Sequence, residues 1–421
     1  MGMNALDLVY GCVALATAPW WMRKARSGWG ERFARALPDL APKTPGRPRV
    51  LLHAVSVGET NALRELTPLL TREAEVVVTA STDTGISRAR ELFGTTCVVA
   101  RYPLDASWSV RRFLDRVEPD VVGLVELEIW PHFVRACRER GVPVAVINGR
   151  LSERSFRGYR RIARWISPSF AALSAAAVQD DAYADRFSAM GVPRDRIAVT
   201  GSMKFDTARI EDGVEGAEQL AREMGIDRSR PLIVAGSTGP GEEALLREAC
   251  EAAFGGDGVQ LLCAPRKPER FDDAAGALPG CVRRSARQPR PGGLFLLDTI
   301  GELRKAYALA DLAVVGRSFF DLHGSDPIEP IGLGKAVVIG PSTSDFTEIV
   351  RALAGAGGLV VSDRAALART LGDLLGDADR RRAMAERGRE CIRLFQGASA
   401  RHAELLLWLA GARPTRGRPT E

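Results

Sequence analysis

The sequence predicts an α/β protein of two successive domains, each a parallel sheet wrapped by helices. Two observations carry this. Short runs nearly continuous in Val, Ile, Leu and Ala recur along the 421 residues, the pattern of strands buried on both faces. Helix-length spacers separate the runs, as βαβ units require. A polar, helical stretch between Ile210 and Arg230 divides them into two series of similar length, which suggests two Rossmann-like domains facing each other across a cleft. The expected divisions are 1–28, a membrane anchor or interfacial helix; 29–209, the first domain; and 210–421, the second domain with the C-terminal helices.

Leu8 to Met22 carries no charge and is followed by Arg23, Lys24 and Arg26. The stretch is shorter than the roughly 20 residues that span a bilayer, and a cleaved signal peptide places its positive charge before the apolar run. Trp20 and Trp21 beside the cations suit a headgroup region with the basic side cytoplasmic. The expectation is a segment on the cytoplasmic face of the inner membrane, with an ordinary buried helix as the alternative. Beyond a Pro-rich connector (Pro38 to Pro48), strands are expected at Val50–Ala54, Glu75–Ala80, Val98–Arg101, Asp120–Leu127, Val142–Asn148 and Ile197–Gly201. The second series is Leu232–Gly236, Val259–Ala264, Gly293–Leu297, Leu312–Gly316, Ala336–Gly340 and Leu359–Val361. Arg380 to Leu407 reads as amphipathic helices and Arg413 to Glu421 as a frayed polar tail.

Composition narrows the function classes. With 46% hydrophobic and 26% charged residues the chain is ordinary for a globular protein. Its net charge of +6 fits an acidic surface or a phosphorylated substrate. Nucleic acid is not an expected partner, because the aromatic residues are not interleaved with Lys and Arg as base stacking demands. The seven cysteines share no CxxC spacing and sit mostly in apolar runs, so buried reduced thiols in a reducing compartment are expected. The four histidines show no metal-ligand spacing, and no metal site is expected.

Several strand ends carry chemistry. Leu51 to Thr60 reads as a strand breaking at Gly58, with Glu59 just beyond it, where doubly wound sheets open their ligand crevice. Glu59 is either a general base or an anion stabilising the next helix. Thr79 to Gly85 is a helix cap or an anion-holding turn. Glu126 and Glu128, two residues apart, would share one face of a strand. Lys204 is a linker cation or one aimed into the cleft. Ala235 to Glu242 is a Gly-rich turn opening a helix, suited to phosphate but lacking the Lys-Ser/Thr of a P-loop and the GxGxxG of dinucleotide sites. Arg266 and Lys267 end another strand, and Arg suits bidentate phosphate contact. Asp298 to Leu303 looks like a cap and first helical turn. His323 to Pro330 is a Gly/Pro loop whose Glu329 can accept from ribose hydroxyls.

In order, His53-Ala-Val-Ser-Val-Gly-Glu59, Glu126-Leu-Glu-Ile-Trp-Pro131, Asn148-Gly-Arg-Leu-Ser-Glu-Arg154, Gly201-Ser-Met-Lys-Phe-Asp206, Gly236-Ser-Thr238, Pro265-Arg-Lys-Pro-Glu-Arg-Phe271, Asp298-Thr-Ile-Gly-Glu-Leu303, Pro327-Ile-Glu-Pro330 and Gly340-Pro-Ser-Thr343 resemble the signature segments of the Kdo transferases. That family moves 3-deoxy-D-manno-oct-2-ulosonic acid (Kdo) from CMP-Kdo to a lipid A precursor. The resemblance implies the GT-B architecture, with acceptor on the first domain and nucleotide sugar on the second, and no cofactor beyond the donor substrate. It implies that Glu59 is the general base and that Glu126 and Lys204 assist the transition state. It implies CMP contacts at Pro265 and Arg266, at Ile300, Gly301 and Glu302, and at Asp326, Pro327, Ile328 and Glu329. Three family histidines are replaced here, by Lys267, by Ser325 in the loop that begins at His323, and by Ser342.

The expected activity is thus an inverting glycosyltransferase, with CMP-Kdo, a lipid A precursor and the membrane surface as partners. A GT-B enzyme using another nucleotide sugar, a sugar-nucleotide epimerase and a non-catalytic lipid or nucleotide-sugar binder are the alternatives. Five arginines (Arg154, Arg157, Arg160, Arg161 and Arg164) recur at helical spacing beside Phe156 and Trp165. They form either a basic face for anionic headgroups or a solvated one.

Overall fold

The computed structural model describes residues 28–255 and 258–411. The expected N-terminal anchor and the tail beyond residue 411 lie outside them. Among the described residues no helix is long and apolar enough to cross a membrane. The chain divides into two compact units, Met1–Thr207 with Gln396–Glu421, and Ala208–Phe395.

The first unit holds a seven-stranded parallel sheet of β1 (Arg49–Ala54), β2 (Glu75–Ala80), β3 (Val98–Arg101), β4 (Val121–Val125), β5 (Val144–Gly149), β6 (Ala175–Val178) and β7 (Ile197–Val199). Its order is β3-β2-β1-β4-β5-β6-β7. The order reverses between β1 and β4, so the loops leaving those neighbours diverge to opposite faces and open a crevice. Strands β1 and β4 are buried along their whole length, which explains their unbroken Val/Leu runs.

The second unit repeats the plan with β8 (Leu232–Thr238), β9 (Gln260–Pro265), β10 (Val282–Arg283), β11 (Leu294–Leu296), β12 (Leu312–Val315), β13 (Val337–Ile339) and β14 (Val360–Val361). Its order is β10-β11-β9-β8-β12-β13-β14, with the reversal between β8 and β12.

Two strands, β6 and β10, were not expected. The first is Ala-Ala-Ala-Val, whose alanines favour helix in isolation and which is a strand because it packs between β5 and β7. The second is two residues long. The expected strand through Glu126 and Leu127 stops at Val125, because Glu126 takes φ 60° and breaks the extended repeat.

The domain boundary also needs correction. The C-terminal helices do not all belong to the second unit. The helix Ala378–Phe395 does, but the chain re-enters the first unit at Gln396 and forms the helix Ala398–Leu409 there. That helix buries Ala398, Ala403, Leu406 and Leu407 in the first unit's core. Gly123 of β4 makes room for it, since a Cβ there would stand 3.3 Å from Leu406 and 3.0 Å from Leu52. Six described cysteines are free thiols, five of them buried.

Because Leu406 is fully buried, Leu406→Ala should destabilise the first unit by about 2–5 kcal/mol. Urea unfolding should show the lower midpoint; an unchanged midpoint would mean that the C-terminal helix is not part of this core.

Candidate active site

In the first unit the crevice is built from the carboxyl ends of β1 and β4. Ser56 caps the helix Val57–Ala62, its Oγ accepting from the Glu59 N–H at 3.4 Å. Glu59 reaches back: the Ser56 hydroxyl donates to Oε1 at 2.9 Å and the Val55 N–H to Oε2 at 2.7 Å. This is a variant of the capping box, Ser-x-x-Glu, in which the acid at the third helical position accepts from the N-cap hydroxyl and from the N–H of the residue before the N-cap. The structural reading of Glu59 is thus borne out, and it does not exclude the catalytic one, since the cap is what aims the carboxylate.

Burial pushes the Glu59 carboxyl up from its ordinary value to about 7; the bond from Val55 opposes the rise, and the charges of Glu126 and Glu128 add to it. Glu128 is itself raised by burial, against a bond from the Trp130 indole N–H at 2.8 Å. Glu126 and Glu128 do not share a strand face. They lie on the turn after β4, where the left-handed Glu126 donates its N–H to the Ile147 carbonyl at 3.0 Å.

Beside this cluster lies a cavity of about 340 Å³, lined by Val55, Ser81, Tyr102, Leu104 and Trp130 among others. His53 lies beneath it, stacked on Tyr102 at 3.6 Å between ring centroids. Burial lowers its imidazole to about 3, so it stays neutral and structural. Thr82 resolves as a helix cap, accepting from the Gly85 N–H at 3.0 Å and donating to the Val55 carbonyl at 2.8 Å. Lys204 lies past β7, between the buried Met203 and Phe205. Its loop is fastened to β5 by Asn148, whose Oδ1 accepts from the Met203 N–H at 3.0 Å.

In the second unit the expected nucleotide contacts lie past the carboxyl ends of β9, β11 and β12. Pro265 ends β9 and Arg266 follows with an exposed side chain, its backbone N–H on the Thr238 carbonyl at 3.0 Å. Past β11, Ile300 is 70% exposed and Gly301 has open space around it. The Glu302 carboxylate is already engaged, accepting from Arg284 at 3.1 and 3.2 Å and from Thr299 at 2.6 Å. Burial opposes, but these donors prevail and hold it below the usual carboxylate range. It borders a cavity of about 470 Å³ shared with Arg284, Arg287 and Lys305. Asp298 is not a helix cap; it pairs with Arg283 at 2.7 Å and accepts from Ser285.

Past β12, Asp326 accepts from the Ile328 N–H at 2.9 Å, ordering Pro327 and the short helix Ile328–Gly332. Glu329 lies 3.8 Å from Arg304, with its carboxyl raised by burial. The family departures are accommodated locally. Lys267 lies 3.8 Å from Glu269, Ser342 accepts from the His323 N–H at 3.3 Å, and Ser325 is buried.

The Gly-rich turn after β8 is not an empty phosphate cradle. The Glu242 carboxylate accepts from the backbone N–H groups of Gly239, Arg317, Ser318 and Phe319 at 2.5 to 3.0 Å. A Cβ on Gly316 would meet this carboxylate at 2.9 Å. Nothing in the sequence announces this tie, because Glu242-Glu243 after Gly241 looks like ordinary acidic enrichment of a first helical turn. No group of three or more His, Cys, Asp or Glu able to hold a metal is found among the described residues.

Residues 27–207 match the family model described as 3-deoxy-D-manno-octulosonic-acid transferase. A 3-deoxy-D-manno-octulosonic acid transferase of Bordetella pertussis is 35% identical over 96% of this chain and 99% of its own length. The chain belongs to the Kdo transferase family. A Haemophilus influenzae transferase of the same name is 30% identical, covering 85% of this chain and 86% of its own. Among solved structures, a UDP-GlcNAc 2-epimerase from Neisseria meningitidis aligns with TM-score 0.57 at 15% identity, over 86% of this chain and all of that one. MurG of Acinetobacter baumannii aligns with TM-score 0.53 at 15% identity, over 87% and all of that chain. These neighbours share the fold, two Rossmann-like units of GT-B type. The transferase is a glycosyltransferase by family.

A base acts only when deprotonated, so if Glu59 is the base, kcat/KM should rise about tenfold per pH unit below about 7 and level off above it. Glu126→Gln removes a neighbouring negative charge and should move that limb to lower pH, whatever it does to kcat. A limb unmoved in the variant would mean that Glu126 does not act on the titrating base.

Proposed function

We propose that this transferase moves Kdo from CMP-Kdo to a lipid A precursor, with inversion, at the cytoplasmic face of the inner membrane. The observation that carries the proposal is the Glu59 carboxylate, anchored at the switch point and raised to about 7, in a chain of the Kdo transferase family. A hydroxyl of the acceptor sugar loses its proton to Glu59 as its oxygen bonds to the anomeric carbon of Kdo. The bond from that carbon to the phosphate oxygen breaks, and CMP leaves with the electron pair. Glu59 then returns the proton to solvent. Attack from the face opposite the leaving group inverts the centre.

Lys204 supplies positive charge to the transition state, and Glu126 keeps the base strong by repulsion. Arg266 is the phosphate ligand, and the exposed Ile300–Gly301 turn and Glu329 receive the nucleoside. The step as written needs no metal. The cavity beside Tyr102 and Trp130 receives the acceptor sugar.

The membrane partner is read from the helices Glu153–Arg161 and Ala163–Ala171. No residue of the first is buried. The expected single helix is broken at Ile162, which is 48% exposed, and Trp165 is 70% exposed. All five arginines are exposed around them. Exposed Trp and Ile framed by arginines suit an anionic headgroup layer, each cation adding about 1 kcal/mol near the surface.

Two experiments test these readings. Incubating the full chain with CMP-Kdo and a tetra-acylated lipid A precursor should give a lipid product heavier by one or more Kdo units by mass spectrometry, and Glu59→Gln should lower its rate by about 10²–10⁴-fold with CMP binding retained. Product from another nucleotide sugar only, or full activity in the variant, would contradict the proposal. Replacing Arg160, Arg161 and Arg164 with Gln should weaken binding to anionic vesicles at low salt, whereas unchanged binding would return this face to solvent.

A further inference from the structure

The loop carrying Lys204 is held in a way that the reaction alone does not require. Its neighbours Met203 and Phe205 are buried at 0% and 4% exposure, while Lys204 between them is half-buried. Four further contacts fix the backbone on either side, and all lead to the C-terminal segment. Asp206 accepts from the Gly397 N–H at 2.6 Å and the Ser399 N–H at 2.5 Å, capping the twelve-residue helix Ala398–Leu409 from outside it. Gln396 donates its side-chain amide to the Phe205 carbonyl at 3.2 Å. Arg401 places Nε and Nη2 on the Thr200 carbonyl at 3.0 and 2.9 Å.

The fourth contact runs through Asn148. Its side chain accepts from Met203, and its own N–H donates to His402 Nε2 at 3.2 Å. His402 is buried, and burial, with Arg401 adding to it, lowers its imidazole to about 3, so it stays a neutral acceptor there. Asn148 adopts φ 51°, a conformation Asn tolerates better than most residues. Charge-assisted bonds from Asp206 to helix N–H groups are among the stronger contacts available to a loop.

Resting on the reading of Lys204 as a transition-state group, we propose that Asp206 is a positioning residue. It clasps the Lys204 loop to the N-terminus of the helix Ala398–Leu409, so that helix sets where the Lys204 ammonium stands. Asn148 and His402 hold the same loop from the sheet side. The clasp also ties the point where the chain leaves the first unit, after Thr207, to the point where it returns, at Gln396.

A double-mutant cycle on the full chain, with CMP-Kdo and the lipid acceptor, tests this. Asp206→Ala should lower kcat by about tenfold with the donor KM changed by less than about twofold, and Asp206→Asn, which keeps one of the two acceptor oxygens, should recover part of the loss. In a Lys204→Ala background, adding Asp206→Ala should cost less than about a further twofold, because both changes remove one function. Equal losses in the two backgrounds would overturn the clasp while leaving the role of Lys204 in place. Full turnover of Lys204→Ala alone would overturn that role and the clasp together. Should Asp206→Ala not fold, the same cycle with Arg401→Gln, which removes the contacts at Thr200, gives the same discrimination.

Discussion

The bonds from the Val55 N–H and the Ser56 hydroxyl to Glu59 fix the one group on which the proposed chemistry depends. They place a carboxylate where β1 and β4 diverge, and they do so with a helix cap that any α/β unit could use. Two donors are enough to orient the carboxylate but too few to offset its burial and its acidic neighbours, so its proton affinity rises. The second unit shows what full satisfaction looks like. At the equivalent reversal between β8 and β12, Glu242 accepts from four backbone N–H groups. Such an acid is saturated with donors and ties two loops together. A glutamate in the first turn of the helix after the switch-point strand is thus the proposed base in one unit and a structural staple in the other, and the two differ in the number of donors they accept from.

The return of the chain to the first unit is the second constraint. With Leu406 and Leu407 in the core over β4, the C-terminal helix stands close enough for Asp206 to cap it and for His402 to meet Asn148. Packing and polar contacts reinforce each other here. The apolar face supplies the burial, and the polar ends select one register for the Lys204 loop.

Much of this was legible in the sequence. Continuous Val/Ile/Leu runs located twelve of the strands, and the ordered motifs led to the family and to Glu59. What escaped depends on tertiary context. The Ala-rich β6 is a strand only between its neighbours, and β10 is too short to carry a period. The turn at Glu126 needs a positive φ that nothing in Val125-Glu126-Leu127 announces. The last helix was assigned to the wrong unit because its amphipathic pattern records an apolar face and not the core that receives it. Glu302 was expected to face nucleotide, but its carboxylate is engaged by Arg284, a residue eighteen positions earlier with no motif of its own. Ile300 and Gly301 are the exposed residues of this segment, while Glu302 borders the cavity with its carboxylate already paired.

Everything proposed here turns on Glu59 being a carboxylate poised near neutrality by burial and by its acidic neighbours. The most direct measurement is a carbon-13 titration of its side-chain carboxyl in the labelled full-length protein, with the resonance assigned by its loss in Glu59→Gln. A midpoint of about 7 is expected. A midpoint near 4.5, the ordinary value for a glutamate, would show a solvated helix cap and contradict the assignment of Glu59 as the tuned base.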